Sequence, residues 1–299
     1  MSTRSTPMPS GRGRPTHPAT VPAASVTTRP ALTAAYRWSS ALALVAGIAA
    51  AVAAFFPAVL ARNAPMTAGN ARGTAVAILV VAVPTLVVSM VLTARGSRRA
   101  EIVWLGALAY ILYNSVFFAY GTHFNGLFLS YAAALSLGVW SVVSLLHAVD
   151  ADELRARFAP GTPVRAVAGY LLVTTAIFAA LWLRDIVPAI AANIDPGSLA
   201  GTGMVTNPVE MTDLAFGFPL TVLAAVWLWQ RRPLGYLLAG AFLVYGVIEA
   251  VGVATDQWFG HLSDPSQSVA MVPVFVALAL VGMVPLLAFL RGLRAGPAA

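Results

Sequence analysis

The chain has 299 residues, of which 59% are hydrophobic and only 10% charged, and its mean hydropathy is +0.80. A soluble domain carries about 25% charged residues, so a soluble globular enzyme and a disordered protein are both excluded. The formal net charge is +7, carried by eighteen Arg and no Lys, and the absence of Cys removes disulfides, thiolate catalysis and Cys-ligated metal or iron–sulfur centres.

Residues 1–36 are rich in Ser, Thr, Pro, Gly and Arg. Such a stretch buries too little apolar surface to offset its ordering entropy, and it reads as a disordered basic cytoplasmic tail. A cleaved signal peptide is disfavoured, because the charged leader is too long and the apolar run behind it exceeds a signal core. Residues 37–294 then carry eight apolar runs, near 38–61, 74–94, 102–120, 126–147, 166–183, 212–230, 234–255 and 269–290. Each approaches the ~20 residues that a bilayer-crossing helix needs. Residues 295–299 form a short C-terminal tail. The expected fold is all-α, an integral-membrane bundle of about eight helices.

The connections orient the bundle. With the N-terminus inside, fifteen of the eighteen Arg fall in cytoplasmic segments and three, Arg62, Arg72 and Arg184, in outer loops. Positive residues concentrate on the cytoplasmic side, so both termini are expected in the cytoplasm and the chain in the cell (inner or plasma) membrane. Because the Arg track membrane edges, no nucleic-acid partner is expected. The lack of Lys and the abundance of Ala suggest a GC-rich bacterial genome. Runs one to four and five to eight share orientation, so a parallel four-plus-four repeat is permitted.

Polar groups inside hydrocarbon mark the places where function could reside. In run three, Tyr110, Tyr113, Phe117 and Tyr120 share one helical face, with Asn114 on its flank near mid-membrane. That stripe is either a packing seam, with Asn114 bonded to a neighbouring helix, or one wall of an aromatic cavity. The short third loop adds His123 and Asn125, and run four adds Ser130 and Tyr131. His123 is a loop-capping or proton-carrying side chain; with no companion ligands it gives no metal site. In the lead into run six, Thr212 or Asp213 suits the cap of the helix start; the rival role for Asp213 is a carboxylate at a cavity mouth. Glu249 stands five to seven residues inside the outer end of run seven, about 8–10 Å deep. Gathered together, Tyr113, Asn114, His123, Asn125, Tyr131, Glu210, Asp213, Glu249 and Asp256 fall in the outer half of the membrane. They suggest an outward-facing polar pocket among runs three, four, six and seven, with Tyr113, Asn114, His123, Asn125, Tyr131, Asp213 and Glu249 as its ligand-binding residues. No phosphate-cradling Gly loop, H-E-x-x-H or G-x-S-x-G motif is present, and no cofactor or metal is expected.

The stretch Leu105-Gly106…Tyr110-Ile111-Leu112-Tyr113-Asn114…Gly121…Phe124-Asn125-Gly126-Leu127-Phe128-Leu129-Ser130-Tyr131…Ser136-Leu137 resembles a widespread family of bacterial polytopic membrane proteins sharing a YN…G..FN.LFL.Y….SL pattern. Asn207-Pro208-Val209…Asp213-Leu214…Pro219 and Arg231-Arg232-Pro233-Leu234-Gly235-Tyr236 are similar to two further segments of that family. Family members often carry His where Glu210 stands and Leu where Thr212 stands. The resemblance spans runs three to seven. It implies an eight-span fold and weight on Asn114, Asn125 and Asp213; the family carries no assigned activity, so it implies no reaction.

Three functions fit these features. The first is a small-molecule transporter or binding protein using the outer pocket, with Glu249 coupling protons. The second is a sensor, or an assembly component of an envelope complex, without chemistry of its own; its Arg-rich tail would meet anionic lipid or a protein. The third is an intramembrane enzyme on a lipid or isoprenoid, with Glu249 and Asp213 as acid and base. The bilayer itself, and a small molecule or an envelope protein, are the corresponding partners.

Overall fold

Eight helices long and apolar enough to cross a membrane make up the chain in a computed structural model, which describes residues 1–2 and 30–294. They are α1 (Pro30–Phe55), α2 (Pro65–Ala94), α3 (Arg98–Tyr120), α4 (Phe128–Ala148), α6 (Val164–Ala192), α7 (Pro208–Trp229), α8 (Pro233–Ser263) and α9 (Met271–Gly292), with a short α5 (Ala151–Ala156) between α4 and α6. Of the segment read as a disordered tail, residues 3–29 lie outside the described residues, and residues 30–36 instead belong to α1. The C-terminal residues 295–299 also lie outside them.

Several helices outrun the hydropathy pattern. α2 begins at Pro65 rather than near 74, α6 continues to Ala192 rather than 183, and α8 continues to Ser263 rather than 255. The added turns of α2 and α8 carry polar residues and Arg184-Asp185 interrupts the apolar run of α6, so hydropathy breaks off there although the backbone stays helical. The longest connection shrinks to 193–207, and Asp256, read as a loop residue, becomes part of α8. At α1 the difference has the opposite sign. The helix stops at Phe55, because Pro57 has no N–H to continue the ladder and opens a separate short turn, Pro57–Leu60.

α3 and α8 form the centre. Buried residues make up 61% and 56% of their apolar windows, against 17–39% for the other six spans. With the remaining six spans they form two quartets with the same neighbour pattern. In the first, α1 packs on α2 and α4, and α3 on α2 and α4. In the second, α6 packs on α7 and α9, and α8 on α7 and α9, with α6 meeting α9 only briefly. α2 and α7, the second helices of the quartets, also share a local device. Each contains a π-helical turn, Ile78–Ala82 and Asp213–Gly217, followed two residues on by Pro84 and Pro219. A helical Pro clashes with the carbonyl four residues back; the widened turn holds that carbonyl in both helices.

The cross-contacts between quartets are unequal. α2 lies tightly along α8, while α7 touches α3 only near its own start. The tight side depends on Gly69 and Gly73, where any Cβ would collide with the α8 backbone at Thr255–Asp256 and Phe259–Gly260. This is the small-xxx-small spacing that lets membrane helices approach backbone to backbone. The loose side leaves a gap between α6–α7 and the central pair.

The ion pairs found among the described residues are at one end. Arg98 pairs with Glu101 (2.7 Å) and Glu153 (2.8 Å), and Arg157 joins Glu153 (2.8 Å). Arg99 Nη2 donates to the carbonyl of Leu293 (2.6 Å), which ties the start of α3 to the end of α9. At the opposite end, the α8–α9 turn is closed by Asp264, which accepts from the Ser266 hydroxyl (2.6 Å) and the Gln267 amide (3.2 Å); these bonds hold its carboxyl below the usual range.

Candidate functional site

Asn207 sets the start of α7. Its side chain accepts from the backbone N–H of Val209 (3.0 Å) and Glu210 (3.4 Å), and Pro208 takes the first helical position, where no N–H is needed. Thr212 and Asp213 are therefore not caps, contrary to the sequence expectation. With the helix already capped, Asp213 lies one turn in and opens the π-helical turn Asp213–Gly217. Its Oδ2 accepts from the indole N–H of Trp182 on α6 (2.9 Å). π-turns recur at functional sites because they re-aim side chains out of the regular helical order.

Glu249 faces the same space from α8. Its Oε2 accepts a long hydrogen bond from Asn114 Nδ2 on α3 (3.4 Å), and that Nδ2 also donates to the Tyr110 carbonyl (3.1 Å). Because α8 runs on to Ser263, Glu249 is near the middle of the helix, about 21 Å from its C-terminal end. Asp256 follows two turns later on the same face, and its Oδ1 is sealed from solvent without a hydrogen-bond partner. Tyr113 packs edge-on against Tyr245, with ring centroids 5.6 Å apart.

These side chains border one cavity of about 510 Å³, within the ~300–1,000 Å³ typical of small-molecule sites. It occupies the gap beside α6 and α7. α2, α3, α8 and α9 supply the rest of the wall, and the α6–α7 connection contributes Ser198 and Thr202. That connection is pinned on two sides. Asp185 accepts from the backbone N–H of Gly197 (3.1 Å) and Ser198 (2.8 Å), and Thr67 on α2 donates to the Thr202 carbonyl (2.7 Å). Phe178 and Phe275 stack at 6.2 Å where α6 meets α9.

Of the residues singled out from the sequence, Tyr113, Asn114, Asp213 and Glu249 line this cavity. His123, Asn125 and Tyr131 do not. α4 packs on α1 and on the far face of α3, so the pocket expected among runs three, four, six and seven excludes run four. Asn125 instead shapes its own loop, accepting from Leu127 N (2.8 Å) and donating to the His123 carbonyl (3.0 Å). The His123 ring is exposed, and its backbone N–H donates to Asn63 (2.8 Å). Tyr131 is buried against Phe118, centroids 5.2 Å apart. The aromatic stripe of α3 divides: Tyr113 and Phe117 reach the cavity, Tyr110 is wholly buried and Tyr120 is exposed. Glu210 is buried near the start of α7 and is not in the wall.

Trp182, Asn70 and Gln257 are wall residues that the sequence reading missed. Asn70 sits inside Gly69-Asn70-Ala71-Arg72-Gly73, and the spacing of those two glycines was the available signal that the polar stretch is a packed helix rather than a loop.

The electrostatics of the wall are one-sided. Asp213, Glu249 and Asp256 line it with no Arg or His among the lining residues. Arg72 is on the nearby helix α2 but turns away, with Nε donating to the Ala54 carbonyl (2.9 Å) and its guanidinium 5.5 Å from the Phe259 ring centroid. Among the described residues no three His, Cys, Asp or Glu gather closely enough to hold a metal ion. Comparison with family models, with curated proteins and with solved structures gives no match to this chain.

Proposed function

We propose that this multi-pass membrane protein takes a small molecule into the cavity between α6–α7 and the central helices, as a transporter or a binding protein. The observation that carries the reading is the cavity itself: about 510 Å³, carboxylate- and aromatic-lined, at one end of the bundle. The opposite end holds the Arg-rich connections, so the positive-inside rule would turn the cavity outward, with both termini cytoplasmic in a bacterial cell membrane. The π-turn at Asp213 supports a site there, since transporters bind where helices depart from regularity. The likeness of runs three to seven to the YN…G..FN.LFL.Y….SL family belongs to the same proposal; it concerns the fold and the weight on Asn114, Asn125 and Asp213, and adds nothing about a reaction. A sensor or assembly role gives no reason to keep three carboxylates around an open space.

One observation favours a second reading. Asp213 and Glu249 come from different helices and line the same cavity. That suits acid–base chemistry on a lipid or isoprenoid.

The test uses Gly246, a wall residue whose Cβ direction has no atom within 4 Å, so Gly246→Phe sends its ring into the cavity. Melting curves in lipid nanodiscs against a panel of amines, carboxylic acids and neutral solutes should show at least one solute that stabilises wild type and leaves Gly246→Phe unmoved. Equal shifts in both proteins, or none in either, would overturn the reading. Turnover of an added lipid substrate, lost in Asp213→Asn, would select the enzyme.

A further inference from the structure

We propose that the ligand of this cavity is an organic cation, an amine or quaternary ammonium of small-molecule size, held between the carboxylates of Asp213, Glu249 and Asp256 and an aromatic wall. The inference rests on the cavity being a ligand site and names the class of ligand.

A carboxylate in the membrane interior is costly, about 2.5–3.5 kcal/mol at a helix centre, and persists when paired, hydrated or used. Every ion pair found among the described residues is at the opposite end of the bundle, among Arg98, Glu101, Glu153 and Arg157. The cavity carboxylates have no such counterpart. Their hydrogen bonds come from neutral donors, the Trp182 indole on Asp213 and the Asn114 amide on Glu249. These donors orient the carboxyl groups without supplying a countercharge. Asp256 lacks even that for Oδ1, which is sealed and unpartnered. A buried acceptor left unmade costs about 1–3 kcal/mol, more when charged, and the positive charge of the ligand, with an N–H donor where it is an amine, would offset that cost.

The rest of the wall selects the kind of cation. An inorganic ion needs a tight cage of oxygens, and no three acidic or His side chains converge here. The wall instead presents Tyr113, Tyr245, Trp182 and Phe275 around a space far larger than a bare ion. Aromatic faces attract ammonium groups, most strongly where water is excluded, and Trp and Tyr faces are the best of them. Carboxylates at separate points with aromatic surface between them match a cationic head on an apolar body.

Calorimetric titration of the nanodisc-embedded protein with three probes tests the charge. They are benzyltrimethylammonium, a permanent cation; benzyl alcohol, neutral; and phenylacetate, an anion. The cation should bind at least about tenfold more tightly than either of the others, and Glu249→Gln and Asp213→Asn should each weaken it by about tenfold or more. Gly246→Phe should abolish it. Should a carboxylate variant fail to fold, the ranking of the three probes on wild type decides alone. Benzyl alcohol or phenylacetate binding as tightly as the cation would overturn the proposal and leave the ligand cavity standing. Binding of none of the three would also overturn it, while the solute panel against Gly246→Phe judges the cavity independently.

Discussion

Trp182 and Asp213 join α6 to α7 at the cavity edge through one 2.9 Å hydrogen bond. A bond of this kind to a carboxylate contributes more than a neutral one in a dry setting, but bilayer reference states find substitutes, so Trp182→Phe should destabilise by about 1 kcal/mol. Chemical denaturation of Trp182→Phe, Asp213→Asn and the double variant reads the coupling directly. The double variant should lose less than the two single losses added together; strict additivity would mean that the bond contributes nothing. At the same scale, Asn207 decides what Asp213 does. Its side chain satisfies the first orphan N–H groups of α7, which leaves the Asp213 carboxylate free to face the cavity.

The two faces of the bundle differ because helices meet at different distances. α2 and α8 touch backbone to backbone through Gly69 and Gly73, whereas α7 stands away from α3. Gly73→Leu forces side-chain bulk into that contact and should cost about 1–3 kcal/mol or more, the usual range for overpacking. Gly169 in α6 has nothing within 4 Å of its Cβ direction, so Gly169→Ala should stabilise by about 0.5–1 kcal/mol through the helix propensity that Gly lacks. Thermal denaturation of both variants in one detergent compares them. A tolerated Gly73→Leu would refute the close α2–α8 contact.

At the scale of the whole molecule, the ion pairs and most Arg-bearing connections gather at one end and the cavity at the other. The chain contains no Cys, so single cysteines report side without background. Asp195→Cys in the α6–α7 connection and Ala156→Cys at the end of α5 are both exposed positions. A membrane-impermeant maleimide added to intact cells should label Asp195→Cys and spare Ala156→Cys until the membrane is opened. The reverse pattern would place the cavity on the cytoplasmic side. The wide apolar faces of α6, α7 and α9, including Val173, Ile177, Leu220 and Leu280, are exposed in the isolated chain, as expected of surfaces that meet lipid.

Composition and hydropathy by themselves determined the class of this protein and the number of its spans. Eight runs of sufficient length with few charges allow little besides a helical membrane bundle, because each backbone polar group must be satisfied within its own segment. The intramembrane polar residues were also legible, since Asn114, Asp213 and Glu249 stand out against an apolar background. The tertiary structure decided which of them meet. Short loops constrain neighbours in the chain but not helix order, so nothing in the sequence separates Tyr131 on α4, which turns to Phe118, from Tyr113 on α3, which lines the cavity. The true helix ends were hidden for a related reason. The last turns of α8 and the first of α2 are polar where they border the cavity or pack through glycine, and a hydropathy average reads such turns as loop. Asn70, Asp256 and Gln257 entered the wall by that route, when packing kept a polar stretch helical.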